Sequence, residues 1–195
     1  MSRTKDYYDS HATEYFEKTV EGDFDSFRMR FTSYLKENAR IIDVGCGSGR
    51  DVAAFCKMGY NAEGLDNSKE LAALAADKLG INITVEDMST WKAEQPYDGI
   101  WCFASLLHLT DKELESFFSN LEYNLSPGGI LFVSVKDGIE TGFDEEGRYM
   151  RNFNQDELIS MITEAGLEVL DIIHTEDAFG RGGFTWLSVI AKKAA

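Results

Sequence analysis

The sequence predicts an α/β domain with a doubly wound sheet of seven strands, mostly parallel and with the last strand antiparallel. From residue 40 onward, apolar strand-like runs alternate with amphipathic helical segments, and five such runs follow one another. This alternation predicts parallel strands with helices on both faces of the sheet. The last two runs, residues 167–175 and 184–193, have no helix between them. That short connection predicts an antiparallel pair at the end of the sheet.

Short apolar runs predict the first five strands, and the first three of these runs end at a glycine or an acidic residue. They are expected at 40–45 (RIIDVG), 61–66 (NAEGLD), 81–87 (INITVED), 97–103 (YDGIWCF) and 130–135 (ILFVSV). In the third run Ile81, Ile83 and Val85 alternate and therefore share one face. SPGG, at 126–129, is expected to break the chain before the fifth strand.

Capping residues predict where three of the helices begin. The pairs that match a capping box are Asn67 with Glu70, Thr110 with Glu113, and Asn154 with Glu157. Glycines at 59, 80 and 166 are expected to end the helices that precede them.

The first 39 residues precede the sheet and are predicted to form an N-terminal helical cap. The segment DSFRMRFTSYL places Phe27, Phe31, Tyr34 and Leu35 on one side of a helix. Residues 40–195 form the main domain, and no linker-like stretch separates the two parts. We expect the cap to lie over an edge of the sheet or over the site, within a single compact unit.

Composition restricts the partners and the location of the protein. The net charge of −15 disfavours unaided binding of DNA or long RNA, because an acidic surface repels phosphate backbones. The three cysteines contain no CxxC pair, and the opening MSRTKDYYDS is polar, which together predict a reduced, cytoplasmic protein. No apolar run approaches the ~20 residues that span a bilayer. Histidine and cysteine spacing predicts no metal site.

The glycine-rich stretch IIDVGCGSGR, residues 41–50, follows the first predicted strand and is placed to bind a ligand. A Walker loop requires Gly-Lys-Ser/Thr at its end, whereas Gly49 is followed by Arg50 and Asp51. A dinucleotide fingerprint requires a third glycine or an alanine where Arg50 stands, and Asp43 would repel a pyrophosphate. The remaining interpretation is a nucleoside that carries a cation and no phosphate.

Four features in the expected order resemble class I S-adenosylmethionine-dependent methyltransferases. They are DVGCGSG with its leading acid, the acid that ends EGLDNS, the acid in VEDM, and LSPGG before the fifth strand. The resemblance covers roughly residues 40 to 193 and implies a Rossmann-like fold. The opening YYDSHATEYFEKT and the string GRDVAAF resemble a small bacterial branch that includes tellurite-resistance-like methyltransferases.

The resemblance implies S-adenosyl-L-methionine as cofactor and S-adenosyl-L-homocysteine as product. Residues that would surround the methionine part are Asp43, Gly45, Cys46, Gly47, Phe103 and Ala104, with Tyr15 as a lid. Asp66 would accept hydrogen bonds from both ribose hydroxyls. Asn67 would flank the adenine, Asp87 would accept from its amino group, and Met88 would donate its backbone amide. An acid at a strand end is also a common turn former, and that interpretation stays open for Asp66 and Asp87.

Residues for the acceptor side are less clearly marked. His108 in ASLLHL follows the fourth strand and is the candidate general base, with packing or capping as the alternative. Arg148 and Tyr149, after the fifth strand, and Arg181, between the last two strands, are candidates for binding the substrate. Ion pairing of Arg148 with the nearby acids 144–146 is the alternative.

The function predicted from the sequence is methyl transfer to a small-molecule acceptor. The alternatives are methylation of a transfer RNA nucleotide and a cofactor-binding sensor without turnover, with a dehydrogenase as an outside possibility. Neither the acceptor atom nor the oligomeric state can be predicted from the sequence.

Overall fold

The computed structural model describes residues 3–177 and 182–195 and contains a seven-stranded sheet. Strands in chain order are β1 (Arg40–Val44), β2 (Asn61–Asp66), β3 (Ile83–Val85), β4 (Tyr97–Phe103), β5 (Leu125–Asp137), β6 (Gly142–Phe143), β7 (Tyr149–Met150), β8 (Leu167–Glu176) and β9 (Thr185–Lys193). The sheet order is β3-β2-β1-β4-β5-β9-β8, while β6 and β7 pair separately as a short antiparallel hairpin. Since β9 runs antiparallel to both neighbours and the other pairs are parallel, the predicted fold class is confirmed.

Seven helices and one 3₁₀ turn connect and cover these strands in the described residues. They are α1 (Arg3–Ser10), α2 (Ala12–Thr19), α3 (Asp25–Thr32), α4 (Arg50–Lys57), α5 (Lys69–Leu79), the 3₁₀ turn Leu106–His108, α6 (Asp111–Asn124) and α7 (Gln155–Glu164). Thr110 and Glu113 form the predicted capping box, and Asn154 accepts from the Glu157 amide at 3.0 Å.

The predicted cap of α5 is wrong by one residue. The N-cap is Ser68, whose hydroxyl accepts from the Leu71 amide at 3.2 Å, and Asn67 lies before the helix. The reason is Asp66, whose carboxylate accepts from the Ser68 amide at 2.8 Å and so bends the chain one residue later.

Two strands differ in length from their predictions. β3 covers only 83–85 of the predicted 81–87. β5 begins at Leu125, so SPGG lies within the strand. Tyr97 pairs with Leu125 and Gly99 with Ile130, which means that the extra residues are absorbed by a register shift.

Both faces of the sheet are covered by helices, as a doubly wound sheet requires. On one face, fully buried side chains of α6 and α7, such as Phe117 and Ile162, join Ile100 in a large apolar cluster. On the other face Phe31 of α3 and Phe55 of α4 pack on Trp101 and Phe132, whose rings stack at 3.9 Å. Tyr34 was expected to be on the packed side of α3, but it is 41% exposed beyond the end of the helix.

Helices α1 to α3 make up the predicted N-terminal cap. α3 lies on the sheet face, where a Cβ added to Gly99 would come within 2.7 Å of the Phe31 ring. α1 and α2 supply side chains to the cavity described below. The division at residue 40 stays a prediction. Within residues 3–177 and 182–195, no helix has the length and apolar character needed to cross a membrane.

Candidate functional site

A cavity lies at the carboxyl ends of β1, β2 and β4, beneath α1 and α2. β1 has β2 on one side and β4 on the other, so the strand order reverses here, which is where doubly wound sheets bind ligands. The cavity holds about 130 Å³, roughly ten times the space needed for one water. All the residues predicted for the cofactor line it: Tyr15, Asp43, Gly45, Cys46, Gly47, Asp66, Asn67, Asp87, Met88, Phe103 and Ala104.

Two glycines of the glycine loop lie close to neighbouring side chains. A Cβ on Gly45 would lie 2.4 Å from the Ser105 Cβ, and one on Gly47 would lie 3.1 Å from the Tyr15 ring. Both glycines have positive φ, at 72° and 54°. The Gly45 and Cys46 amides both donate to the Leu65 carbonyl, at 2.7 and 3.1 Å. The loop is therefore held by its main chain.

Asp66 stands at the end of β2, and the backbone holds both of its carboxylate oxygens. Oδ2 accepts from the Gly47 amide and Oδ1 from the Ser68 amide, each at 2.8 Å. Burial raises the pKa of this carboxyl, and the two backbone hydrogen bonds oppose that rise. Each oxygen retains a lone pair, so the group fits two hydroxyl donors such as those of a ribose.

Asp43 is a buried carboxylate that lines the cavity and is only 3% exposed. Among the described residues, none donates a hydrogen bond to its side chain. Burial and the nearby Asp51 raise the pKa of Asp43 well above its usual range, and Arg50 opposes them. Since a buried carboxylate without a hydrogen-bonding partner is stabilised by a cation, this group fits the positively charged amino-acid end of S-adenosylmethionine.

Asp87 forms a turn and also faces the cavity. Its Oδ1 accepts from the Ser89 amide at 2.9 Å and from the Ser89 hydroxyl at 2.7 Å. The turn interpretation left open by the sequence is therefore correct for Oδ1. Oδ2 is left for an amino donor, and Met88 lines the cavity beside it.

Arg50, the residue that breaks the dinucleotide spacing, links the glycine loop to the N-terminal helices. Its guanidinium pairs with Asp51 at 2.8 Å, lies 4.3 Å from the Phe24 ring centroid, and donates to the Thr19 carbonyl at 3.4 Å. Asp51 also pairs with Arg28 of α3 at 2.6 Å. The Arg–Asp–Arg network is nearly buried and was not predicted from the sequence.

His108 lies at the end of the 3₁₀ turn, with both ring nitrogens in hydrogen bonds. Nδ1 is 2.7 Å from the Tyr149 carbonyl oxygen, and Nε2 is 2.9 Å from the Tyr8 hydroxyl. Because a carbonyl only accepts, Nδ1 carries the proton, and Nε2 accepts from Tyr8. Burial lowers the pKa of His108 to about 4, and the Arg148 charge adds to that decrease. The ring is therefore neutral near pH 7.

Tyr8 also lines the cavity and was not predicted from the sequence. Its ring meets the ring of Tyr15 edge-on at 5.0 Å. The one signal in the sequence is that Tyr8 and Tyr15 are seven residues apart, two helical turns, in the segment YYDSHATEY.

Two of the residues predicted to bind the substrate, Arg148 and Tyr149, do not line the cavity. Arg148 pairs with Asp144 at 2.8 Å and with Glu146, which is the alternative that the sequence left open. Tyr149 contributes its carbonyl to His108, while its ring packs against Phe143 at 5.7 Å. Arg181 lies outside the described residues. Within the described ranges no three histidine, cysteine or acidic side chains form a group that could hold a metal ion.

Known proteins resemble the chain in sequence and in fold. A family model described as a methyltransferase domain matches residues 16–172. A ubiquinone biosynthesis O-methyltransferase of Rickettsia canadensis is 22% identical over 168 residues, which cover 73% of this chain and 69% of that protein.

Among the solved structures that share the fold are two methyltransferases. One is the 1,6-didemethyltoxoflavin-N1-methyltransferase of Burkholderia thailandensis, with bound 1,6-didemethyltoxoflavin and S-adenosylhomocysteine. Its TM-score is 0.79 at 22% identity, and the match covers 99% of this chain and 88% of that one. The other is a TehB-like S-adenosylmethionine-dependent methyltransferase of Corynebacterium glutamicum, with a TM-score of 0.72 at 18% identity over 94% of this chain and 98% of that one.

The family match spans most of the chain and includes the glycine loop, Asp66, Asp87 and His108. The sheet order and the cavity at its switch point agree with that match. The chain belongs to the methyltransferase-domain family and is a class I S-adenosylmethionine-dependent methyltransferase.

Proposed function

We propose that this protein transfers the methyl group of S-adenosylmethionine to a small-molecule acceptor in the cytoplasm. One observation carries the proposal: the residues that suit the cofactor converge on one cavity that also contains His108 and is covered by α1 and α2. When bound, the cofactor supplies a methyl group on a positively charged sulfonium, which is already activated for displacement.

In this proposal, acidic side chains hold the cofactor from three directions. Asp66 accepts from the ribose hydroxyls with the lone pairs that Gly47 and Ser68 leave free. Asp43 faces the ammonium group, and Asp87 accepts from the adenine amino group beside the Met88 amide. The negative charge of this cleft complements the net positive charge of the cofactor.

The remaining work of the protein is to align the acceptor, exclude water and remove a proton where the acceptor has one. α1 and α2 close the cavity with Thr4, Tyr8 and Tyr15. His108 is neutral and therefore able to accept a proton, with Nε2 directed at the Tyr8 hydroxyl.

Two findings support a small acceptor. The net charge of −15 counts against a long RNA, and the helices leave a confined cavity. The Burkholderia structure holds bound 1,6-didemethyltoxoflavin, and the Rickettsia relative is named for ubiquinone biosynthesis. Methylation of a transfer RNA nucleotide and cofactor sensing without turnover remain the rival functions.

A labelling experiment separates these functions. The protein is incubated with methyl-labelled S-adenosylmethionine and, in parallel, with a low-molecular-mass metabolite extract or with total transfer RNA. We expect label in a small product, which mass spectrometry identifies. Label in transfer RNA instead would establish the first rival. Titration calorimetry that gives S-adenosylmethionine binding without product from either mixture would establish the sensor.

Calorimetry also tests the choice of cofactor directly. We expect heat of binding from S-adenosylmethionine and S-adenosylhomocysteine and none from NADH, because Arg50 stands where a dinucleotide loop has its third glycine and Asp43 would repel a pyrophosphate. Binding of NADH with the higher affinity would contradict the assignment.

A further inference from the structure

Tyr8 is placed to touch whatever enters the cavity next to His108. It belongs to α1, lines the cavity, and its ring is edge-on to the rings of both His108, at 5.6 Å, and Tyr15, at 5.0 Å. These contacts restrict the ring, and the hydroxyl is 2.9 Å from the His108 Nε2. The two residues are 100 positions apart in the chain, so this contact depends on α1 being docked over the site.

The direction of each proton in this contact follows from the Tyr149 carbonyl. That carbonyl can only accept, so it places the ring proton of His108 on Nδ1. Nε2 then has a lone pair, and the Tyr8 hydroxyl must donate to it. The Tyr8 oxygen has two lone pairs: Arg148 donates a side-chain hydrogen bond to one, and the other can accept from a group in the cavity.

We propose that Tyr8 is a catalytic residue that accepts the proton of the methyl acceptor while passing its own proton to His108. This inference rests on the proposed function and narrows it. The acceptor is then a molecule whose nucleophilic atom carries a proton to lose, a hydroxyl or an amine. Carboxylates, thioethers and metalloid oxyanions have no such proton and are outside this class.

The relay balances in atoms and charge. The acceptor O–H or N–H bond breaks as the bond to the methyl carbon forms, and the electron pair of the broken S–C bond stays on sulfur. The acceptor proton goes to the Tyr8 oxygen, and the Tyr8 proton goes to the His108 Nε2. The positive charge lost from the sulfonium therefore ends on the imidazole, which later releases its proton to water.

The surrounding charges favour a concerted relay over a free tyrosinate. Burial raises the pKa of Tyr8, with Tyr15 and Asp66 acting in the same direction and Arg148 opposing them. Around His108 the charged groups are Arg148, Asp144 and Lys136, and Asp144 alone among these three favours the imidazolium. Since neither residue ionises readily in isolation, we expect the two protons to move together.

The first test is Tyr8→Phe, with Tyr7→Phe as the matched control on the same helix. Tyr7 stacks on His11 and does not line the cavity. We expect Tyr8→Phe to lower kcat by about 100-fold on the extract-derived acceptor, with the melting temperature and the calorimetric affinity for S-adenosylmethionine unchanged. Tyr7→Phe is expected to keep the wild-type rate. A wild-type rate in Tyr8→Phe would overturn the relay.

The atom that carries the label in the product is an independent test. Methyl on a hydroxyl oxygen or an amine nitrogen supports the inference, and methyl on a carboxylate, a thioether sulfur or a metalloid oxyanion overturns it. If the extract yields no labelled product at all, the proposed function fails. The hydrogen-bond arrangement that the relay requires is then decided by a measurement that needs no turnover.

That decision comes from ¹⁵N NMR of the histidine side chains in the S-adenosylhomocysteine complex. The relay requires a protonated Nδ1 and an unprotonated, hydrogen-bonded Nε2 on His108, and Tyr8→Phe should shift the Nε2 resonance towards that of a free imidazole nitrogen. A proton on Nε2, or an Nε2 signal insensitive to Tyr8→Phe, would overturn the proposal.

Discussion

The two walls of the cavity are built from different kinds of contact. On the side of β1 and β2, main-chain amides make the decisive bonds, from Gly45 and Cys46 to Leu65 and from Gly47 to Asp66. On the side of α1, side chains join segments that are far apart in the chain. Tyr8 meets His108, and the Thr4 hydroxyl accepts from the Tyr149 amide at 2.9 Å.

This difference separates two roles. A wall made of backbone keeps its shape when exposed side chains change, so it suits a constant cofactor. A wall made of side-chain contacts between α1, the 3₁₀ turn and the β6–β7 hairpin changes with single substitutions. We therefore expect changes on the first wall to affect cofactor binding and changes on the second to affect turnover.

The largest effect on cofactor affinity is expected at Asp66, the side chain that the main-chain amides of the first wall (the backbone wall) bind. Asp66→Ala removes both carboxylate oxygens, and two charge-assisted hydrogen bonds are worth roughly 3–6 kcal/mol together. We expect affinity for S-adenosylmethionine to fall at least ~100-fold, as measured by calorimetry. Asp77→Ala, on the exposed side of α5, is the control and should bind as the wild type does. Unchanged affinity in Asp66→Ala would remove the ribose assignment.

His108→Gln tests the second wall through the dependence of stability on pH. The pKa of His108 is lowered from 6.5 to about 4 in the folded protein. Between these values the unfolded chain takes up a proton that the folded protein does not, so the stability present above pH 6.5 is lost as the pH falls towards 4. The loss amounts to about 3 kcal/mol at most.

Denaturant unfolding at about pH 7.5 and about pH 4.5 measures that loss. We expect the wild type to lose more stability than His108→Gln over this interval. His174→Gln is the control, since His174 is exposed on β8 and bonded to Gln155 at 2.8 Å. Equal losses in the wild type and His108→Gln would contradict the assignment of a buried, neutral imidazole.

The stability of Gly45→Ala tests how closely the glycine loop packs against Ser105. The new Cβ would lie 2.4 Å from the Ser105 Cβ at a φ of 72°. Gly80→Ala has a similar φ of 65° and nothing within 4 Å of the added atom, so it isolates the conformational strain from the clash. We expect Gly45→Ala to be less stable than Gly80→Ala by about 2 kcal/mol in denaturant unfolding. Equal stabilities would mean that the loop can move away from Ser105.

The smallest effect is expected where α1 meets the start of α5. Asp9 pairs with Lys5 and accepts from the Ser68 hydroxyl at 2.7 Å, next to the backbone wall. Because partly exposed ion pairs contribute at most about 1 kcal/mol, Asp9→Ala should raise the dissociation rate of S-adenosylmethionine only a few-fold. Stopped-flow displacement measures this rate. A change as large as that in Asp66→Ala would show that Asp9 itself binds the cofactor.

Sequence patterns predicted the parts of the fold that depend on local signals. β1 and β2 end where the glycine and the acid indicated, β4 covers the predicted residues 97–103, and Thr110 and Asn154 cap their helices. Ser68 replaced Asn67 as the cap of α5 because a carboxylate two residues away took the Ser68 amide. Local sequence patterns do not predict this competition, because the same carboxylate also accepts from the Gly47 amide, which is distant in the chain.

The acceptor side was harder to predict because its contacts are nonlocal. Nothing near residue 8 in the sequence indicates that its hydroxyl meets a histidine 100 residues later. Arg148 turned towards Asp144 and Glu146 because the β6–β7 hairpin brings these acids alongside it. Spacing alone could not separate that ion pairing from a role in the cavity.

Arg50 links the ligand preference of the glycine loop to the attachment of the N-terminal helices. Glycine at this position would complete the G-x-G-x-x-G spacing of a dinucleotide site from Gly45 and Gly47. The same substitution would delete the guanidinium that joins Asp51, Phe24 and the Thr19 carbonyl. A single mutation towards a new ligand would thus remove one of the contacts between the N-terminal helices and the loop, so a change of nucleotide at this position would also weaken the attachment of the cap.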